Sequence, residues 1–184
     1  VPDRLKDILR FYQVNGYKWL KTLDSYGFGG VLADDMGLGK TLQVISVLLN
    51  YKENKGEKTS IVVCPSSLVL NWDREIKKFA PVLNILIVSG NAIERKEKIS
   101  VYKEYDAIIT SYDSLKRDID EYNSINADFK YVIADEAQYI KNGNTQNAKS
   151  LKSLKSDIRF ALTGTPIENS LAELWSIFDY IMPG

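Results

Sequence analysis

The stretch LADDMGLGKTLQ, residues 32–43, carries two glycines, a lysine and a threonine in the order that grips phosphate. Gly37 and Gly39 let the backbone turn tightly with N–H groups pointing inward. The helix expected to follow would add the partial positive charge of its N-terminus. Lys40 would then reach the β- and γ-phosphates of a nucleotide, and the Thr41 hydroxyl would hold Mg²⁺. The usual pattern, G-x-x-x-x-G-K-[ST], opens on glycine, whereas Asp34 holds that position here. A strand-to-helix turn with a surface lysine would read much the same, so the loop needs a second half of a site beside it.

YVIADEAQ, residues 131–138, offers that half. Asp135 suits the Mg²⁺ shell, usually through water, and Glu136 suits orienting and deprotonating an attacking water. Alone, adjacent carboxylates equally mark a helix start stabilised by the dipole. Paired with the loop, they complete one Mg–ATP site. LTGTP, residues 162–166, places Thr163, Gly164 and Thr165 where small hydroxyl side chains could sense loss of a γ-phosphate, or where a turn simply closes before Pro166. CPSSLVLNW (64–72) and TSYDSL (110–115) put Ser66, Ser67, Thr110 and Ser111 at expected helix starts. In one reading these are N-caps. In the other, the same hydroxyls and free N–H groups bind the phosphates of a nucleic-acid backbone without reading its sequence.

Each of these motifs needs a strand end to stand on. Short apolar runs recur at 30–33, 60–64, 84–88, 106–110, 131–134 and 159–163, too short and continuous for amphipathic helices. They read as strands buried on both faces of a parallel sheet. Helical spacing of apolar residues appears at about 8–25, at 40–51, at 67–79 and at 170–181, the last with Ser170 as N-cap and Glu173 completing a capping box. The alternation predicts an α/β domain with a mainly parallel sheet covered on both faces. In such sheets ligands sit beyond the carboxyl ends of the strands, where all five motifs fall. The charged run 94–104, ERKEKISVYKE, reads as a solvated helix face.

Composition narrows the chemistry. The 184 residues suit one domain, with 45% hydrophobic residues for its core and 26% charged residues for its surface. Lysine plus arginine balance aspartate plus glutamate at 24 each, so any nucleic-acid contact must come from a local patch or from backbone N–H groups rather than a global field. With no histidine and one cysteine, Cys64, His-dependent triads and Cys/His zinc sites are excluded. Cys64 reads as a small core residue, and a lone cysteine suits a reducing, intracellular setting, cytoplasmic in a prokaryote or nuclear in a eukaryote. No apolar run approaches the roughly 18 residues of a membrane helix, so no membrane partner is expected.

Taken together, the five motifs resemble the N-terminal RecA-like lobe of the SWI/SNF family of helicase-like, superfamily-two ATPases, from about residue 9 to the end. LRFYQVNGYKWL (9–20) is similar to the family's adenine-recognising segment, with Gln13 at the matching position. DDMGLGKTLQ resembles its ATP loop, in which an acidic residue commonly replaces the first glycine. The resemblance implies nucleotide contacts from Asp35, Met36, Gly37, Leu38, Gly39, Lys40 and Thr41, and a coupling role for Gln138, Thr163, Gly164 and Thr165. LTGTPIENSLAELWS (162–176) is the most specific match. Three positions depart from the pattern: Gln138 for a usual histidine, Asp35 for glutamate and Glu168 for glutamine. The resemblance implies one lobe, residues 1–184, of an ATP-driven translocase on double-stranded DNA that remodels protein–DNA complexes or assists recombination and repair. It also implies a second RecA-like lobe, an unknown protein substrate, and ATP with Mg²⁺ as cofactors. A strand-separating helicase would share this chemistry. A self-contained nucleotide kinase or ATP switch would carry an arginine-rich lid, but Arg74, Arg95, Arg117 and Arg159 are scattered.

Overall fold

The computed structural model describes residues 1–33, 39–164 and 171–182. Its strands are β1 (Gly30–Ala33), β2 (Ser60–Cys64), β3 (Ile85–Ile87), β4 (Ala107–Ser111), β5 (Asp128–Ala134) and β6 (Lys155–Thr163). Its helices are α1 (Phe11–Ser25), α2 (Lys40–Glu53), α3 (Val69–Phe79), α4 (Ala92–Ser100), α5 (Tyr112–Ser124), α6 (Gln146–Ser153) and α7 (Leu171–Ile181). The strands form one sheet in the order β1-β6-β5-β2-β4-β3, and every pairing is parallel.

The side-chain alternation of the central strands explains the layering. In β2, Val62 and Cys64 join a core with Tyr17 and Leu20 of α1, Ile45 and Leu49 of α2, and Trp72 and Ile76 of α3. Ile61 and Val63 point the other way, into a second core with Ile99 of α4, Leu115 of α5, Leu151 of α6 and Tyr180 of α7. A sheet buried on both faces needs apolar residues at successive positions, which is why its strands were visible as continuous runs.

The chain leaves β1 and passes two strand positions before returning to the sheet as β2; β5 and β6 later fill that gap. The carboxyl ends of β1, β6 and β5 therefore lie side by side, with Ala33 opposite Thr163 and Ala134 opposite Ala161. The ends of β2 and β4 continue the row, Val63 opposite Ala134 and Cys64 opposite Ser111. One rim thus collects the motifs scattered from residue 39 to residue 164.

The run 94–104 departs from expectation. It supplies helix α4, but Arg95 is buried and clasps Asp118 of α5, Nε to Oδ2 at 2.8 Å and Nη2 to Oδ1 at 3.0 Å. This bidentate pair pins α4 to α5, so one side of the run faces inward. Helix α6 was not expected: only Ala148 and Leu151 on it are buried apolar residues, too few for a periodic signal.

Candidate nucleotide site and nucleic-acid track

The phosphate-loop expectation rests partly on Asp34, Asp35, Met36, Gly37 and Leu38, which lie outside the described residues, as do Thr165, Pro166, Glu168 and Ser170. The described chain resumes at Gly39. This residue has φ +88°, a left-handed conformation that glycine adopts without steric cost, and it stands as the N-cap of α2. A Cβ built there would lie 1.8 Å from Nε2 of Gln13, so the Gln13 amide packs directly on the Gly39 backbone. Gln13 is buried, and its Oε1 accepts the backbone N–H of Arg10 at 2.8 Å. The residue singled out on α1 is therefore held against the start of α2. Lys40 follows as the first residue of α2 and is only 5% exposed; Thr41 is half-buried beside it.

At the end of β5, Asp135 is buried and both carboxylate oxygens are engaged. Oδ2 accepts the Trp72 indole N–H at 2.8 Å, and Oδ1 accepts the Glu136 backbone N–H at 2.8 Å. Burial raises its pKa above the usual aspartate value, and the charge of Glu136 adds to that. The two hydrogen bonds and the Lys40 charge oppose it. Lys40 thus lies within electrostatic reach of Asp135. Glu136 is a non-glycine residue in the left-handed region, φ 51° and ψ 58°, a conformation costing about 1–2 kcal/mol that turns its side chain away from the strand direction. Its carboxylate accepts Nε2 of Gln138 at 2.5 Å. Gln138 therefore holds Glu136 directly. Thr163, at the end of the adjacent β6, is buried, with Gly164 after it.

The track residues divide. Ser66 and Ser67 are exposed and open a short 3₁₀ turn, Ser66–Leu68, that leads into α3; neither caps a helix through its side chain. Ser111 does cap α5, its Oγ accepting the Ser114 N–H at 3.1 Å. Thr110 is a correction on both counts. It lies inside β4, is 1% exposed, and its Oγ1 has no partner, because the strand continues one residue further than the run 106–110 suggested. It neither caps a helix nor reaches the surface. Ser66 and Ser67 line a small cavity of about 140 Å³ with Pro65, Tyr112, Asp113, Tyr139 and Asn147. Tyr112 and Tyr139 stack there with ring centroids 5.3 Å apart and planes 4° apart, and the Tyr112 hydroxyl donates to the Asp135 carbonyl at 2.7 Å. A wider groove of about 690 Å³ between Lys141–Asn144 and the Trp175 side of α7 includes none of these rim residues.

Cys64 behaves as expected: burial, with Asp135 nearby, pushes its thiol up to about 12, so it is an inert core group at neutral pH. Sequence reasoning missed Trp72, Tyr112 and Tyr139. A signal existed for the first, since a tryptophan in a core usually finds an acceptor for its N–H.

A parallel sheet with helices on both faces and its motif residues at adjacent strand ends is the architecture of a RecA-like α/β domain. The comparisons extend this to the family. The SNF2-related domain model matches residues 12–184, and the chain belongs to that family. It is similar in structure to the SWI2/SNF2 ATPase core of Sulfolobus solfataricus in complex with double-stranded DNA, with a TM-score of 0.86 and 44% identity over 96% of this chain and 36% of that one. It is 40% identical over 196 residues to the TATA-binding protein-associated factor mot1 of Schizosaccharomyces pombe, covering all of this chain and 10% of that protein. It is also 40% identical over 186 residues to the putative ATP-dependent helicase/translocase YwqA of Bacillus subtilis, covering all of this chain and 20% of that protein. The chain thus spans a fifth or less of the length of these two relatives.

Proposed function

We propose that this chain is the first RecA-like lobe of an ATP-driven translocase on double-stranded DNA that remodels protein–DNA complexes. The observation that carries the proposal is the shared rim. Asp135 with Glu136 and Thr163 stand at the ends of β5 and β6, Lys40 at the start of α2 lies within electrostatic reach of Asp135, and Ser66, Ser67 and Ser111 stand at the neighbouring ends of β2 and β4. A nucleotide and a phosphate backbone would sit on one edge of the sheet, close enough to influence one another.

The donor set fits Mg–ATP. Hydroxyl and carboxylate oxygens from Thr41 and Asp135 are hard ligands of the kind Mg²⁺ takes, and it usually keeps waters and phosphates as its remaining ligands. When bound, Mg²⁺ would neutralise charge developing on the transferring phosphoryl group. In this reading Gln13 recognises the adenine, and the loop residues Asp35, Met36, Gly37, Leu38 and Gly39 wrap the phosphates. Lys40 draws off negative charge, and Glu136, held by Gln138, orients the attacking water. Ser66 and Ser67, which are exposed, contact the DNA backbone without sequence preference, while Ser111, buried as the N-cap of α5, fixes the neighbouring helix start; this suits a chain of zero formal net charge. A second RecA-like lobe closes over the nucleotide, and the protein partner is whatever the motor displaces.

The test is steady-state ATP hydrolysis by the intact protein, with and without duplex DNA, beside its Lys40→Ala variant. Turnover stimulated by duplex and reduced by about 10²-fold or more in the variant is expected. Turnover indifferent to DNA would replace the translocase with a self-contained ATP switch. Strand displacement on a partial duplex would replace it with a strand-separating helicase.

A further inference from the structure

Trp72 is completely buried on α3, the helix entered through the exposed Ser66–Leu68 turn. A buried indole N–H needs an acceptor, and a main-chain carbonyl would serve without importing charge. Here the acceptor is the Asp135 carboxylate, 2.8 Å away and 63 residues along the chain. Burying a carboxylate is costly, so placing one in the core against α3 implies a use. With Oδ2 fixed by Trp72 and Oδ1 by the Glu136 N–H, the carboxylate has one orientation, yet each oxygen keeps a lone pair for water or a cation. A shift of α3 along the sheet would move the Trp72 donor, one of the two groups that orient this carboxylate.

A second link converges on the same residue. Tyr112 directly follows Ser111, and its hydroxyl donates to the Asp135 carbonyl at 2.7 Å. The strand-end segment assigned above to the DNA backbone and the helix start beside it are therefore both hydrogen-bonded to Asp135, one at its carboxylate and one at its main chain. The Ser66–Leu68 turn meets solvent, while Trp72, one helical turn further on, meets the catalytic rim.

We propose that Trp72 is a positioning residue that couples duplex DNA on the strand-end track to the Asp135 carboxylate, so that binding of duplex and binding of Mg–nucleotide strengthen one another. The proposal rests on the translocase reading above. Linkage makes the two factors, duplex on Mg–nucleotide and Mg–nucleotide on duplex, equal in any variant, so their agreement checks the measurement and the fall in their common value tests the proposal. Removing the indole N–H should lower both factors together.

The experiment measures both affinities in the intact protein, using a non-hydrolysable ATP analogue with Mg²⁺ and a short duplex, each with and without the other. Trp72→Phe removes the donor and keeps an aromatic ring. Because Phe leaves space in a full core, a second variant carries 3-benzothienylalanine at position 72, which keeps the bicyclic shape and replaces N–H with sulfur. In both, the coupling factor should fall by about tenfold, equally in the two directions. Analogue affinity in EDTA and duplex affinity without nucleotide should each stay within about twofold of the unaltered protein. Coupling as strong as in the unaltered protein would overturn the proposal and leave Trp72 a core residue. An equal loss of affinity in EDTA would also overturn it, as general damage. Failure of the unaltered protein to bind duplex at all would instead overturn the translocase reading, and this proposal with it.

Discussion

Glu136 pays a backbone penalty in its left-handed conformation and is then gripped by the Gln138 amide at 2.5 Å. The grip has a purpose if Glu136 must aim at one water, because a freely rotating carboxylate would spend most of its time misdirected. Gln138→Ala should therefore lower kcat for ATP about tenfold and leave the KM for ATP nearly unchanged, since the amide touches Glu136 rather than the phosphates. Gln138→His keeps a donor and should retain most of the rate. Steady-state kinetics on the three proteins decides this, and a rise in KM with unchanged kcat would place Gln138 in nucleotide binding instead. The place of Asp135 and Glu136 at a strand end was legible because they follow an apolar run. The Trp72 partner of Asp135 was not, because a hydrogen bond between residues 63 positions apart is created by packing two elements, and no local pattern encodes it.

Among the elements, α1 presents Gln13 to the start of α2 while its far end is tied to the sheet. Asp24 accepts the Tyr131 hydroxyl of β5 at 2.6 Å and Lys21 at 3.1 Å, with Lys130 at 3.4 Å. Burial alone would raise the Asp24 pKa, but the Tyr131 and Lys21 hydrogen bonds and the two lysine charges outweigh it, and the net shift is downward. A carboxylate held below its unfolded value stabilises the fold above that value, and the benefit fades as pH falls through the folded one. Asp24→Asn should thus cost about 1–3 kcal/mol near pH 7 and progressively less below about pH 4, as read by denaturant unfolding at a series of pH values. A cost independent of pH would show that shape, not charge, fixes this end of α1. Strand positions were legible where both faces are covered and apolar residues run on, but β5 and β6 begin at Asp128 and Lys155, ahead of the runs 131–134 and 159–163, because their first residues are partly exposed and polar. The interior side of α4 was not legible, because Arg95 reads as solvated until Asp118 of α5 is brought beside it.

For the whole molecule, the order β1-β6-β5-β2-β4-β3 is the feature that no run of residues announces, since β1 pairs with a strand about 130 positions later in the chain. That order makes a single rim from five separate motifs, but the rim is one-sided. Two of the arginines that a self-contained phosphoryl-transfer enzyme could swing over a nucleotide are committed to structure. Arg95 is clasped by Asp118, and Arg159 donates to the carbonyls of Lys152, Leu154 and Tyr180, tying the ends of α6 and α7 to β6. The chain corresponds to 36% of the archaeal ATPase core it resembles, so the larger part of that core has no counterpart within these residues. An arginine supplied from outside a phosphate site commonly accelerates phosphoryl transfer by about 10³–10⁵. On the proposed two-lobe reading, the isolated 184-residue chain should bind ATP through its Lys40 loop yet hydrolyse it at least about 10³-fold more slowly than a chain that also carries a second RecA-like lobe, with or without duplex. Fluorescent-nucleotide binding and phosphate release, measured side by side on the two lengths, separate these properties. Robust turnover by the short chain, lost on Lys40→Ala, would mean that the rim completes its own active site and needs no second lobe.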